Sequence, residues 1–294
     1  MDIIVSMKSL NIRAWAKLNL TLDVIGKRPD GYHELSSVMQ AITLYDDLTI
    51  EISNNPGITI TTNVPSLPVD ENNLIYKAAK LLTDEYGIKQ GIAVNLKKYI
   101  PIAAGLAGGS SNCAATIKGI NQLFGLKISE TRLLEIARKL GADVHFCLMV
   151  ESAGGTARAE GVGEKLTHLP AHPGVSIALA RLPVDVSTKE IFSKYFGRTE
   201  GQTPAMIRAL TTGNVKKIAE NLANDLTPIA TGMYPEILRL FAAFREQNAL
   251  GVSMTGSGPT VFAYFPTEAE GIAAVKQISK QFPDCEMFCV KPKN

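Results

Sequence analysis

The chain has 294 residues, 46% apolar and 20% charged, with 30 Lys and Arg against 28 Asp and Glu for a formal charge of +2. A chain this long buries enough surface to fold without disulfides or structural metals, as one large or two modest domains. The charge balance excludes a protein held to nucleic acid chiefly by phosphate contacts, and the composition excludes collagen, coiled-coil and disordered classes. No run approaches the ~18 apolar residues of a membrane span, and residues 1–8 lack a basic stretch followed by an apolar core, so a soluble, cytoplasmic protein without a membrane partner is expected. Cys113, Cys147, Cys285 and Cys289 form no C-x-x-C pair and have no paired histidines nearby, so they read as buried thiols.

The first elements are strands. Residues 12–24 alternate in part through Ala14, Ala16, Leu18, Leu20 and Leu22, and residues 47–52 and 57–62 are rich in Ile and Thr. Residues 74–86 carry apolar side chains at 74, 75, 78, 81 and 82, which is helical spacing, and 92–96 is a short strand. A helix runs from Ser110 to Gly125 with Ala114, Ile117, Ile120 and Phe124 on one face; Ser129 caps a second helix that Gly141 stops after Leu140. Residues 162–175, with several Gly and Pro and no sustained period, read as a linker. Beyond them, 175–182 and 261–265 are strand-like, and 207–222, 234–247 and 268–281 are helical. The mixture is α+β in two halves, residues 1–160 and 161–294.

The first segment with chemical content is Pro101-Ile102-Ala103-Ala104-Gly105-Leu106-Ala107-Gly108-Gly109-Ser110-Ser111. Glycines let backbone N–H groups turn towards an anion, and a helix start adds unpaired donors and partial positive charge. On composition alone, a phosphate cradle and an ordinary Gly-rich turn with a Ser cap both remain open. There is no G-x-x-x-x-G-K-[ST], no G-x-G-x-x-G after a strand, no H-R-D or D-F-G, and no G-x-S-x-G, which excludes P-loop NTPases, protein kinases and α/β hydrolases.

That segment resembles the P-x-x-x-G-L-x-S-S-A-A signature of the GHMP small-molecule kinases. Ala16-Lys17-Leu18-Asn19-Leu20, Gly26-Lys27-Arg28-Pro29-Asp30-Gly31-Tyr32-His33, Gly141-Ala142-Asp143-Val144 and Thr255-Gly256-Ser257-Gly258-Pro259-Thr260 resemble one branch, whose acceptor is diphosphocytidyl-methylerythritol in the methylerythritol phosphate route to isoprenoid precursors. The resemblance implies a two-domain fold: a β-rich N-terminal domain with a left-handed βαβ crossover, and a ferredoxin-like C-terminal domain. It implies phosphoryl transfer from ATP, with Mg²⁺, to a substrate hydroxyl by a monomer or homodimer. The alternatives are another kinase of the family, acting on mevalonate, homoserine or a sugar, and a non-catalytic nucleotide-binding paralogue.

Carried over by position, Asp143 is the general base and Lys17 sits beside it, holding it ionised and stabilising developing charge. The nucleotide falls to Asn73, Lys98, Pro101, Ile102, Ala103, Ala104, Gly105, Leu106, Ala107, Gly108, Gly109, Ser110, Ser111 and Asn112. The substrate falls to Asn19, Tyr32, His33, Thr188 and Phe192, with Tyr32 stacking on the cytosine and His33 reading its edge. Without the resemblance, Asp143 reads as a cap or linker residue, Lys17 as a solvated strand lysine and Lys98 as a solvated edge. No carboxylate cluster assigns ligands to the metal. Three features depart from the family: His145 stands where proline is usual, Ala103, Ala104 and Ala107 stand where glycines are frequent, and the run after Phe146 is about four residues longer.

Overall fold

The computed structural model describes residues 8–150, 154–197 and 201–294. The opening stretch 1–7 and residues 151–153 of the lengthened run lie outside the described residues. The chain divides into two compact units, the first made of the residues up to Trp15, Leu44–Ile100 and Gly108–Leu148, the second of Ala16–Thr43, Pro101–Ala107 and Met149–Asn294. The expected boundary at 160/161 falls within the second unit.

In the first unit, the long strands β1 (Ser9–Lys27) and β2 (His33–Ser53) contribute their outer portions. β3 (Ile58–Thr62) leads through α1 (Leu74–Tyr86) to β4 (Gly91–Lys97), which is parallel to β3, while residues 91–97 pair antiparallel with residues 47–53 of β2. The α1 bounds match the apolar spacing because both ends are fixed locally. Asn73 accepts from Ile75 N–H at 2.9 Å, and Gly87 takes φ 62° beyond the last turn. α2 (Gly108–Leu123) is buried along most of its length and approaches β2 so closely that a Cβ on Gly119 would collide with Ile50. α3 (Glu130–Leu140) starts on the Ser129 cap, and Gly141 separates it from the short α4 (Ala142–Met149).

The second unit holds residues 35–40 of β2 against β5 (Thr156–Gly161), which pairs in turn with β6 (Lys165–His168). β6 lies inside the stretch read as a linker; its four residues are too few and too polar to show a period. β7 (Ser176–Arg181), α5 (Thr188–Ser193), α6 (Thr203–Thr212), α7 (Val215–Glu220) and β8 (Ala223–Asn224) follow. The single helix expected over 207–222 is two helices. Gly213 adopts φ 63° and ends α6, and Asn214 accepts from Lys217 N–H at 3.0 Å to start α7.

The chain continues through α8 (Thr227–Met233), α9 (Glu236–Glu246), β9 (Gly251–Met254), β10 (Thr260–Phe265), α10 (Glu268–Ile278) and β11 (Glu286–Val290). β7, β9, β10 and β11 form an antiparallel sheet in the order β11-β7-β10-β9, the ferredoxin-like arrangement. Its core joins Leu22 and Val24 of β1 to Ala178, Ala180, Phe244, Val261 and Phe265. Residues 291–293 are stitched onto β2: Thr43 N–H donates to Lys291 O at 2.9 Å and Lys293 N–H to Ala41 O at 2.8 Å.

Candidate active site

Lys17 and Asn19 stand two residues apart on β1, so both point to one face of the sheet. Lys17 is buried, not solvated. Its ammonium donates to Asn19 Oδ1 at 2.8 Å and to Gly105 O at 3.2 Å. The backbone N–H of Asn19 donates to Thr255 Oγ1 at 3.0 Å, and Asn19 Oδ1 accepts from Gly256 N–H at 3.1 Å. At its other end the Asn19 amide donates to Ser37 Oγ at 2.8 Å, and Thr255 Oγ1 reaches Gly105 O at 3.2 Å. Three of the sequence segments, A-K-L-N-L, the glycine loop and T-G-S-G, therefore meet in one hydrogen-bonded hub around Lys17. The Asn19 amide is engaged at both ends within the protein, with Lys17 among its partners.

The loop between Pro101 and Ala107 is tied to β1 by Lys17 N–H donating to Leu106 O at 3.1 Å. Ala103, Gly105 and Ala107 take φ of 52°, 70° and 55°, so left-handed residues alternate along it. Such alternation turns successive N–H groups into a concavity suited to an anion. The two alanines hold this conformation although their Cβ atoms disfavour it. At Gly105 only glycine fits, because a Cβ would collide with the Thr255 carbonyl. Ala104 and Leu106 point inward and Ile102 outward. The chain runs straight on into α2, whose first N–H groups have no partners within the helix.

In the first unit, Asp46 is fully buried and accepts four hydrogen bonds: from Lys98 Nζ at 2.6 Å, Tyr99 N–H at 2.7 Å, Ile100 N–H at 2.8 Å and Asn112 Nδ2 at 2.8 Å. Lys98 is thus a buried, ion-paired lysine and not a solvated edge. Its ammonium lies against the start of α2, where a Cβ on Gly108 would come within 2.7 Å of it. Ser111 Oγ donates to Trp15 O at 2.7 Å, Gly109 is exposed and Ser110 half-buried, and Asn73 spends its side chain on capping α1 and on donating to Pro68 O at 2.6 Å. Asp143 is the second residue of α4, half-buried, where the helix start favours a carboxylate; it is neither a cap nor a linker residue. His145, on the same helix, is buried.

The second unit also contains a cavity of about 750 Å³. Tyr32, His33, Thr188 and Phe192, four residues assigned to substrate, line it together, and Lys27 and Lys189 stand on its wall. The tight turn before β2 presents Tyr32: Arg28 N–H donates to Tyr32 O at 2.7 Å, Tyr32 N–H to Asp30 Oδ1 at 3.1 Å, and the Arg28 guanidinium meets Asp30 at 3.1 Å and Glu34 at 3.3 Å. Tyr32 is left 66% exposed. His33 opens β2 and is 9% exposed, so the run enters the interior at its last residue. Its ring lies 5.3 Å from that of Phe192, and its Nε2 is buried without a hydrogen-bond partner. Burial first, and then the Lys27 charge, hold the His33 pKa below its ordinary value against a backbone hydrogen bond at Tyr195, so the ring is neutral at pH 7. Thr188 Oγ1 lies 2.8 Å from Ser257 Oγ, linking the cavity wall to the T-G-S-G turn.

Asp46 and Asn224 are the residues the motifs did not reveal. Each lies outside any glycine run, beside an acidic residue (Asp47 and Asp225), and its partners come together only in the folded chain. Among the described residues no group of three or more His, Cys, Asp or Glu is placed to hold a metal ion, and no helix is long and apolar enough to cross a membrane.

The family description "GHMP kinases N terminal domain" matches residues 73–151, and "GHMP kinases C terminal" matches residues 206–284. A 4-diphosphocytidyl-2-C-methyl-D-erythritol kinase of Caldicellulosiruptor saccharolyticus is 44% identical over 91% of this chain and 92% of its own. One of Clostridium acetobutylicum is 40% identical over 93% and 97%. Among solved structures, a 4-(cytidine 5'-diphospho)-2C-methyl-D-erythritol kinase superposes with TM-score 0.80 at 28% identity, covering 97% of this chain and 100% of its own. The homoserine kinase of Cytophaga hutchinsonii shares the fold, with TM-score 0.77 at 20% identity over 100% of this chain and 98% of its own.

Proposed function

The chain belongs to the GHMP kinases, and on that premise we propose that it phosphorylates a hydroxyl of 4-diphosphocytidyl-2-C-methyl-D-erythritol with ATP, in the methylerythritol phosphate route to isoprenoid precursors. The observation that carries the acceptor is the cavity where Tyr32, His33, Thr188 and Phe192 converge around an unpartnered imidazole nitrogen. An exposed aromatic ring and a buried, unsatisfied ring nitrogen suit a flat heterocycle with hydrogen-bonding edges better than a small aliphatic alcohol.

When bound, ATP supplies the phosphoryl group. The alternating left-handed loop at 101–107 fits its phosphates, as alanine keeps the backbone N–H donors that glycine would offer. The acceptor hydroxyl gives its proton to Asp143. Lys17, fixed by Asn19 and Gly105, contributes positive charge to the developing oxyanion without moving. Asp46 holds Lys98 and Asn112, and with them the ends of the segments flanking the loop. Mg²⁺ accompanies the nucleotide, with no chain ligands assigned to it. The two halves of the family's fold are residues 1–160 and 161–294, and the enzyme works in the cytoplasm on small molecules.

A coupled assay of ADP release against a panel of alcohols tests this. The diphosphocytidyl acceptor should turn over far faster than mevalonate, homoserine or galactose. Equal turnover of mevalonate would move the chain to another branch, and no turnover of any alcohol would favour the non-catalytic paralogue.

A further inference from the structure

Asn224 ends the two-residue strand β8 and pairs with Leu22 of β1. It is buried, and its amide is used completely. Nδ2 donates to Met254 O and to Gly256 O, each at 2.8 Å, while Oδ1 accepts from Leu226 N–H at 2.9 Å. Two of these three bonds land on the turn after β9. That turn contains left-handed Gly256 (φ 58°) and Gly258 (φ 87°) and is closed by Gly258 N–H donating to Thr255 O at 3.1 Å; the Asn224 bonds add a tie from outside it. Only a side chain with two amide protons and this reach can bind both carbonyls. A serine would donate to one of them, and an aspartate would set carboxylate oxygen against carbonyl oxygen.

The turn so held is the one that builds the hub. Gly256 N–H donates to Asn19 Oδ1, which accepts the Lys17 ammonium, and Thr255 Oγ1 bridges Asn19 N–H and Gly105 O. Ser257 in the same turn meets Thr188 on the cavity wall. We propose that Asn224 is a positioning residue of the phosphoryl transfer: it fixes the 254–256 turn, and through Gly256 and Asn19 it fixes the place of the Lys17 ammonium. Asn224 is not among the residues lining the cavity. The inference rests on the reading of Lys17 as the residue that stabilises charge in the reaction.

A double-mutant cycle tests it. Asn224→Ser should lower kcat roughly 10–100-fold, the scale of an ångström-level misplacement, with the KM for ATP changed less than about threefold. In an Asn19→Ala background, where the proposed link through Gly256 and the Asn19 side chain is already cut, the same substitution should lower kcat less than about twofold. An equal loss in both backgrounds would show a merely structural role and overturn the proposal. Circular dichroism melts report folding, and if Asn224→Ser does not fold, Asn224→Gln, which keeps both amide protons and displaces them by one methylene, takes its place in the cycle. Unchanged kcat in Lys17→Ala would instead sink the reading of Lys17. A slow Lys17→Ala with an additive cycle would sink only the role given to Asn224.

Discussion

The hub around Lys17 and the cavity around His33 lie in the same unit, yet they are finished to different degrees. In the hub every named polar group has a protein partner: Lys17, Asn19, Thr255, Gly105 and Ser37 satisfy one another. In the cavity His33 Nε2 has none, and Tyr32 leaves most of its ring open. A buried ring nitrogen without a partner costs about 1–3 kcal/mol, which a ligand supplying the missing hydrogen bond returns. On the proposed function, the groups assigned to developing charge are fixed before substrate arrives, while those assigned to its recognition are left to be completed by it. Hub substitutions should therefore act on kcat and cavity substitutions on KM.

The largest effects expected are at Lys17 and at Asp143, the proposed base. Lys17→Ala and Asp143→Asn should each lower kcat roughly 10²–10⁴-fold in steady-state assays, with the KM for acceptor little changed. A rise in acceptor KM alone would erase the distinction. Next comes Gly105→Ala, which forces a Cβ onto the Thr255 carbonyl at a positive φ. Strain and overlap together should cost about 2–4 kcal/mol of stability, read by chemical denaturation. An unchanged midpoint would mean that the loop and turn separate readily.

On the cavity side, Tyr32→Ala should raise the acceptor KM by the factor matching about 1–3 kcal/mol of base stacking, with kcat nearly unchanged. Loss of kcat alone would place Tyr32 with the chemistry. The smallest effect is that of pH. His33 takes its proton at lower pH in the folded chain than the ordinary 6.5, so just below 6.5 the unfolded chain binds more protons and stability falls as pH falls. Over the same range the ring gains a charge near Lys27, and the acceptor KM should rise a few-fold. Melts and KM measured from pH 7.5 to 5.5 should show both trends, and His33→Gln should flatten them.

Legibility in the sequence followed the range of the interactions. α1 and α3 were readable to the residue because Asn73, Ser129, Gly87 and Gly141 fix their ends within a turn. The false continuous helix over 207–222 arose because the apolar spacing carries through Gly213, and only the left-handed turn there breaks it. β6 escaped because its pairing with β5, and not its own pattern, makes it a strand. The cavity residues were legible only as a motif resemblance, and nothing in R-P-D-G-Y-H shows that His33 is buried. Asp46 and Asn224 were invisible, since polar residues outside any motif acquire meaning only from the groups the fold brings to them.

The stitching of the second unit also bears on how the protein is made. Asn19 waits for Thr255, 236 residues later in the chain, and Thr43 waits for Lys291, 248 residues later. At ribosomal speeds of about 5–20 residues per second, β1 and β2 emerge roughly ten to fifty seconds before those partners. The first unit, whose later elements lie within residues 44–148, is translated well before then. A nascent chain stopped anywhere short of Thr255 therefore carries Lys17 and Asn19 without the turn that completes their hydrogen-bonded hub.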